Sequence, residues 1–464
     1  MNHRRGAAAP RSPLLKHGER SLLAVLSVAA LVYSLMQSLV VPALPAIQQS
    51  LGVSADTAGW AVTAFLLSSA VATPIAGRLG DMFGKGRVLT AVLVIVCAGT
   101  LLCTIPSLPA LIGGRIVQGV SGGVLPLAYA IVRDEVAPAH VGRGIALIAS
   151  LLGVGGGLGV IVAGVLVEHL SYTSMFWVQM PAFAAVAWGV HRIVPHVATA
   201  VPTRIDWTGA VLVSSGLVML LLTITQAGRW GYGSTATLLG FATAAALLAT
   251  WAWSALRHAD PLLDVRLMLR RAVWTTNAVA FLVGIGQFVG FIMLPRYVQE
   301  AGGIGASPLE SGVYLLPMTA AIMVSGLAAG RLERHFDPRT LLLASGVITG
   351  VAFVLLTFFR VTPLELYVAS GLHGFGTGLA MAVLATLIVT SVAEDETGAA
   401  AGVNNVARTL GGAVGGQIAA VLLVASGYTA AFAVGLVAMV AWVAITPLIG
   451  GADSGVAAAR ATTA

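Results

Sequence analysis

Charge is what this sequence has least of. Only 9% of its 464 residues are Asp, Glu, Lys or Arg, 58% are hydrophobic, and the mean hydropathy is +0.93. A soluble domain carries about 25% charged residues, so a chain solvated on every side is excluded. Cysteine is nearly absent too. Cys97 and Cys103 fall inside one predicted helix, where pairing them would distort the backbone, which argues against a disulfide or metal framework. No GxxxxGK[ST] phosphate cradle exists, so the chain does not hydrolyse ATP itself. No His/Asp/Cys cluster has metal-ligand spacing and no Ser/His/Asp set shares a pocket, which argues against an enzyme. Acidic residues are missing where a buried proton carrier would sit. None of the 18 falls at the middle of a predicted helix. Asp56 and Glu168 lie near one membrane face, and Asp81, Asp134 and Glu135 near the other.

Long apolar runs are what the chain has in excess. Spanning a bilayer takes roughly 20 apolar residues per helix. Such runs are predicted at 21–44, 58–77, 88–106, 109–132, 143–167, 174–192, 207–226, 236–256, 272–295, 309–330, 339–359, 364–391, 397–425 and 428–449. The first, from Leu22 to about Ile47, exceeds the 7–15-residue core of a signal peptide and reads as a retained helix. The fold class is therefore an all-α polytopic membrane protein with fourteen helices. An even number puts both termini on one side. Alternate loops collect 20 of the 25 lysines and arginines, so the positive-inside rule makes that side, and both termini, cytoplasmic. The net charge of +7 then reflects cytoplasmic loops facing anionic lipid rather than nucleic acid.

Two charged knots interrupt the runs, GRLGDMFGKGR at 77–87 and GRLERHFDPR at 330–339. Both open with Gly-Arg-Leu and carry Phe six residues after the first Gly, eight helices apart. The fourth and twelfth runs share that offset: QGVSGG at 118–123 aligns with HGFGTG at 373–378, matching Gly119 to Gly374 and Gly123 to Gly378. Two six-helix halves with two helices inserted between them are the expectation, and repeats of this kind mark secondary transporters. The expected organisation is a cytoplasmic segment 1–20, a bundle 21–192, an inter-bundle segment 193–271, a second bundle 272–449, and a disordered cytoplasmic tail 450–464.

On these motifs the chain resembles the fourteen-helix drug:proton antiporter branch of the major facilitator superfamily. GRLGDMFGKGR resembles the loop signature after helix 2, and RIVQGVSGG, 115–123, the helix-4 signature. RIDWTGAVL, TQAGRWGYGS and DPLLDVRLM resemble the branch's inter-half segment, and GAAAGVNNVARTLGGAVGG, 398–416, its helix 13. The resemblance implies a major facilitator fold and export of hydrophobic or amphiphilic small molecules by proton antiport in a bacterial plasma membrane. It implies no cofactor, no metal and no nucleic acid; the partners are lipid, protons and an amphiphilic substrate, with a monomer as the working unit. Two departures stand out. Met36 occupies the place of a helix-1 Asp, and helix 5, LLGVGGGLGVIVAG at 151–164, lacks the Gly-Pro of the antiporter signature. Uncoupled or dedicated metabolite or lipid export is therefore a second reading, and a sensor or enzyme on the same scaffold a third.

Candidate residues follow. Gly77, Arg78, Asp81, Gly84, Lys85 and Arg87 form the opening knot. Its glycines permit a tight turn and Asp81 suits the positive end of a helix. The resemblance makes it a cytoplasmic gate; a topology marker is the alternative. Gly153, Gly157, Gly159 and Gly164 give helix 5 small faces for close packing. Arg115, with Gln118 one turn on, belongs by resemblance to proton coupling, or else bonds helix-end carbonyls; Arg408 is its counterpart in the second half, or is structural. His373, or the set Asp81, Asp134 and Glu135, is left to carry protonation, against a neutral histidine bonded between helices. The cavity candidates are Tyr33, Gln37, Phe65, Tyr129, Asn277, Gln287, Phe288, Phe291, Tyr314, Met318 and Asn404.

Overall fold

The computed structural model describes residues 17–195, 206–258, 261, 263–300, 303–392 and 396–449. Most of the expected 1–20 segment, the tail 450–464, Arg204 and the side chain of Asp56 lie outside the described residues.

The described residues are helical nearly throughout. In chain order the helices are α1 (His17–Leu51), α2 (Ala55–Phe83), α3 (Lys85–Cys103), α4 (Leu108–Gln118), α5 (Val124–Glu135), α6 (Pro138–His169), α7 (Ser174–Ile193), α8 (Trp207–Trp230), α9 (Thr235–Arg257), the short α10 (Val265–Met268), α11 (Arg271–Gln299), α12 (Pro308–Leu332), α13 (Pro338–Phe358), α14 (Pro363–Thr390) and α15 (Thr397–Ile445). Twelve spans among them are long and apolar enough to cross a membrane, against the fourteen expected. The difference has two sources. Gln179, Pro181, His191 and Arg192 dilute α7, and Thr397–Leu448 counts as one span although Gly427 (φ 77°, ψ −173°) breaks α15 inside it.

Local chemistry sets the ends. At the first knot α2 and α3 are separated by Gly84 alone, whose φ of 96° is a conformation a side chain disfavours. The scarce acids serve caps. Asp206 accepts from Gly209 N–H at 2.7 Å, and Ser307/Glu310 and Thr362/Glu365 form capping boxes at α12 and α14. The run expected as one helix over 109–132 is two, α4 and α5, joined by a 3₁₀ segment at Gly119–Gly123. Its cause is close packing. A Cβ at Gly119 would meet Ser68, one at Gly122 would meet Thr73 and Ser69, and one at Gly123 would meet Ala76, so the segment lies directly on α2.

In lipid, helices gain little from burying apolar surface on each other, so close approach of small residues governs pairing. α1 packs on α6 and α7, α3 on α4 and α7, α11 on α15, and α14 on α12 and α13. Two further pairings, α2 with α15 and α6 with α12, join the earlier helices to the later ones. α8 and α9 pack on each other, and α8 also lies along α2 and α15. The outer surface is apolar, with Val94, Trp188, Leu239, Val424 and Val440 well exposed, as a bilayer-facing wall requires.

Candidate functional site

The basic end of the bundle, where both knots lie, is closed by charges placed on helix ends. Asp81, at the last turn of α2, puts its carboxylate oxygens 3.2 and 3.3 Å from the point a Cβ on Gly398 would occupy, beside the N-terminus of α15. Anions there gain about 0.3–1 kcal/mol, and up to about 2 when partly buried. Arg133, at the end of α5, does the reverse. It donates to the carbonyls of Val389 and, at 2.9 Å, Val392, at the C-terminal end of α14, and to Thr397 Oγ1 at 2.6 Å. Lys85 Nζ donates to Asp134 Oδ2 at 2.7 Å and stands 3.8 Å from Asp81 Oδ1. Below them α2 and α15 meet backbone to backbone, since a Cβ on Gly77 would come within 2.6 Å of the Gly398 carbonyl oxygen. Arg78 is half-buried, while Arg87 and Glu135 are exposed and outside this latch.

The second pairing is built differently. The helix-5 glycines of the sequence sort onto two faces of α6. A Cβ on Gly153 would strike Ile322 and one on Gly157 would strike Thr319, both on α12; one on Gly155 or Gly159 would strike Ser34, Leu35 or Ser38 on α1. Gly164 has no neighbour within 4 Å. At the basic end, Gly330 packs on Arg143, and Glu333 follows α12 with its carboxylate turned toward Gly142 of α6 and hydrogen-bonded to Thr386 of α14. Burial pushes the Glu333 carboxyl up to about 7. Beside it opens a cavity of about 400 Å³ lined by Leu23, His140, Arg143, Leu147, Leu327 and Arg331, among others.

Between the two pairings lies a cavity of about 30 Å³, room for about two waters. Its wall holds Leu125, Tyr129 and Leu152 from one side, and Ala280, Met381, Leu384, Ala385, Ile388, Ala401, Asn404, Asn405 and Arg408 from the other. Arg408 donates to Gln287 Oε1 at 2.8 Å and to Asn405 Oδ1 at 2.7 Å. Tyr33 hydrogen-bonds Ser69 and Asn405, and Asn404 donates to Asn277 at 2.9 Å.

The other candidates sit elsewhere. Phe65 lies under the buried Arg115 guanidinium, 4.3 Å from ring centroid to Cζ. Arg115 donates to the Ala61 carbonyl and to Gln118, both at 2.8 Å, and Gln118 donates on to Thr100 at 2.8 Å, which ties α4 to α2 and α3. His373 is buried against Gly290, with Nε2 3.1 Å from the Gly286 carbonyl oxygen and its ring edge-on to Phe353, on the α11/α13 side of α14. Tyr314 stacks on Tyr367 at 4.7 Å, the Met318 backbone packs on Gly374, Phe288 on Gly412, Phe291 on Gly156, and Gln37 is half-buried. Of the eleven cavity candidates, Tyr129 and Asn404 line the cavity, while Tyr33, Asn277 and Gln287 support its polar network. Three residues of the arrangement escaped the sequence reading. Asn405 was legible, three positions before Arg408 on the same face. Arg133 and Glu333 carried only loop signals, because their partners are far away in sequence.

Known proteins identify the family. One relative is an uncharacterized transporter of Mycobacterium tuberculosis, 28% identical over 413 residues, covering 87% of this chain and 59% of its own; the chain therefore spans less than two thirds of that relative. The tetracenomycin C resistance and export protein of Streptomyces glaucescens is 28% identical over 429 residues, covering 90% of this chain and 78% of its own. The crystal structure of the human organic anion transporter MFSD10 shares the fold with a TM-score of 0.70 at 17% identity, covering 92% of this chain and 99% of that one. Residues 26–416 and, in an overlapping match, 304–457 fit the profile of the Major Facilitator Superfamily. This chain belongs to the Major Facilitator Superfamily, with the all-helical multi-pass membrane architecture described above.

Proposed function

We propose that the protein exports hydrophobic and amphiphilic small molecules, drugs or antibiotics among them, from a bacterial cytoplasm by alternating access. Two six-helix halves, 21–192 and 272–449, rock about the central cavity, with α8 and α9 inserted between them. The count of fourteen spans follows from dividing α15 at Gly427 and adding α7. The basic end is the cytoplasmic one, so both termini face the cytoplasm and the latch at Asp81, Lys85, Arg133 and Asp134 closes the inner gate. A monomer is sufficient, because the cavity and both pairings lie within one chain.

The observation that carries this reading is the latch. It joins helix ends of one half to helix ends of the other across a cavity too small for a drug, since ligand pockets run to about 300–1,000 Å³. The gate must therefore open for cargo to enter. Proton antiport runs through the Asp81 carboxylate, the gate acid that sits on a helix of the other half: protonating it removes the charge that holds the latch, and inward proton flow resets it. Arg115 and His373, each bonded inside its own half, position helices rather than carry the proton. A second reading, export without proton coupling, is favoured by one observation: no acidic side chain lines the central cavity among the described residues.

The test is flux of a panel of fluorescent amphiphiles in proteoliposomes, with and without an imposed pH gradient. Uptake that follows the gradient and collapses with a protonophore supports antiport. Equilibration indifferent to the gradient selects the uncoupled reading, and no flux of any member contradicts export.

A further inference from the structure

Arg408 is the one charged side chain on the wall of the central cavity. Its hydrogen bonds run only to neutral groups, Gln287 Oε1 and Asn405 Oδ1, and no described carboxylate forms an ion pair with it. That is an expensive arrangement. A cation in a membrane-embedded site costs roughly 2.5–3.5 kcal/mol on insertion scales, and such residues normally find a counter-charge. Elsewhere this chain supplies compensation for the cations it places between helices. Arg133 takes the carbonyl end of α14, and Lys85 takes Asp134. Arg115 takes a carbonyl, an amide oxygen and an aromatic face. Arg408 instead faces the central cavity, and what stands around that opening is built for an amphiphile: the Tyr129 ring, the Asn404 amide, Met381 and Leu384.

We propose that the transported substrate carries a negative charge, a carboxylate, sulfonate or phenolate on an apolar body, and that Arg408 is its counter-ion in the cavity. The inference rests on the exporter reading and names its substrate class. Gln287 and Asn405 hold the guanidinium in place while leaving its remaining N–H groups for the anion, which the fixed fork of arginine suits. The same charge accounts for the missing carboxylates. A cell interior is electrically negative, so an anion leaves it down the field, and about 100 mV sustains roughly a 50-fold outward accumulation of a monovalent anion. Such cargo gains driving force from the potential in addition to any proton gradient, so a chain with Met36 where the resemblance expects Asp still exports it. An acid in the cavity would neutralise Arg408 and repel the cargo.

The experiment uses three probes with one aromatic body: pyrenebutanesulfonate, pyrenebutanol and pyrenebutyltrimethylammonium. Binding to the detergent-solubilised full chain is read by energy transfer from its tryptophans, and flux of the two charged probes is read in proteoliposomes under a potassium–valinomycin potential. The sulfonate is expected to bind at least about tenfold tighter than the ammonium and to move toward the positive side. Arg408→Gln is expected to weaken sulfonate binding about 10–100-fold, the range for a lost charge-assisted hydrogen bond, and alcohol binding far less. Arg408→Lys, which keeps the charge, restores part of the discrimination. Equal affinity of wild-type protein for sulfonate and ammonium overturns the proposal, and needs no variant to fold. So does an Arg408→Gln variant that weakens all three probes alike, the signature of a structural arginine. Sulfonate binding that depends on Arg408 with no flux in any condition leaves the anion site standing and contradicts export instead.

Discussion

On the proposed two-half repeat, the α2/α15 and α6/α12 pairings are counterparts of one another. The sequence repeat equates α2 with α12, and α6 with the first part of α15, so exchanging the halves exchanges the two contacts. Yet they are held differently. Where α2 meets α15, backbone touches backbone at Gly77 and Gly398, Asp81 sits on a helix N-terminus, and α8 lies along the outside of the joint. Where α6 meets α12, glycines receive side chains, Ile322 and Thr319, and a basic cavity of about 400 Å³ opens near the half-buried Glu333. The first knot has Gly80 and Asp81 where the second has Glu333 and Arg334, so the acid stands on a helix N-terminus in one joint and turns toward Gly142 and Thr386 in the other. One joint is a charged latch, the other a packed hinge line.

Breaking each joint in its weakest direction separates them. The largest effect belongs to Gly77→Ala. The new methyl meets a carbonyl that has no room to retreat and no side chain to trim, so transport is expected to fall more than about tenfold with no rescue at position 398. Gly157→Ala is next. It strikes the Thr319 side chain, Cβ included, so the loss is of similar kind but Thr319→Gly, which removes every clashing atom, restores flux; an unrescued double variant would show that the two joints are alike. Glu333 sets a pH dependence. Burial raises its pKa from 4.5 to about 7 in the closed joint, so the closed state holds a proton that an open, hydrated one releases. Closure is fully favoured below about pH 4.5 and weakens as pH rises through 7. The thermal midpoint should fall between about pH 5 and 8, and Glu333→Gln should remove that part of the fall; an unchanged slope would mean Glu333 does not titrate there. Smallest is Lys85→Gln. Asp134 is 36% exposed, and partly exposed pairs contribute only about 0.2–1 kcal/mol, so flux at equal expression should stay within a few-fold.

How much of this was legible beforehand follows from what helices encode. Apolar length carries the spans, because it is a local signal. The glycine spacing of α6 announced two small faces, and Asp81 announced a helix end. Neither named its partner. Arg133 looked like any loop cation, since its acceptors lie more than 250 positions away. Phe65, Tyr314 and Met318 read as cavity residues but pack against Arg115, Tyr367 and Gly374, because helical period fixes a face and leaves open which neighbour covers it. The 3₁₀ link at Gly119–Gly123 had three glycines to announce it, but only α2 pressing on them makes the tighter winding favourable.

The central claim is that the latch at the basic end opens and closes during transport. Spin labels at exposed Phe83 and Thr390, in a chain whose Cys97 and Cys103 are replaced by serine, report the distance across it. The account predicts two distance populations, with Asp81→Asn shifting weight to the longer one and lowering flux in step. A single distance that neither substrate nor Asp81→Asn moves would contradict it.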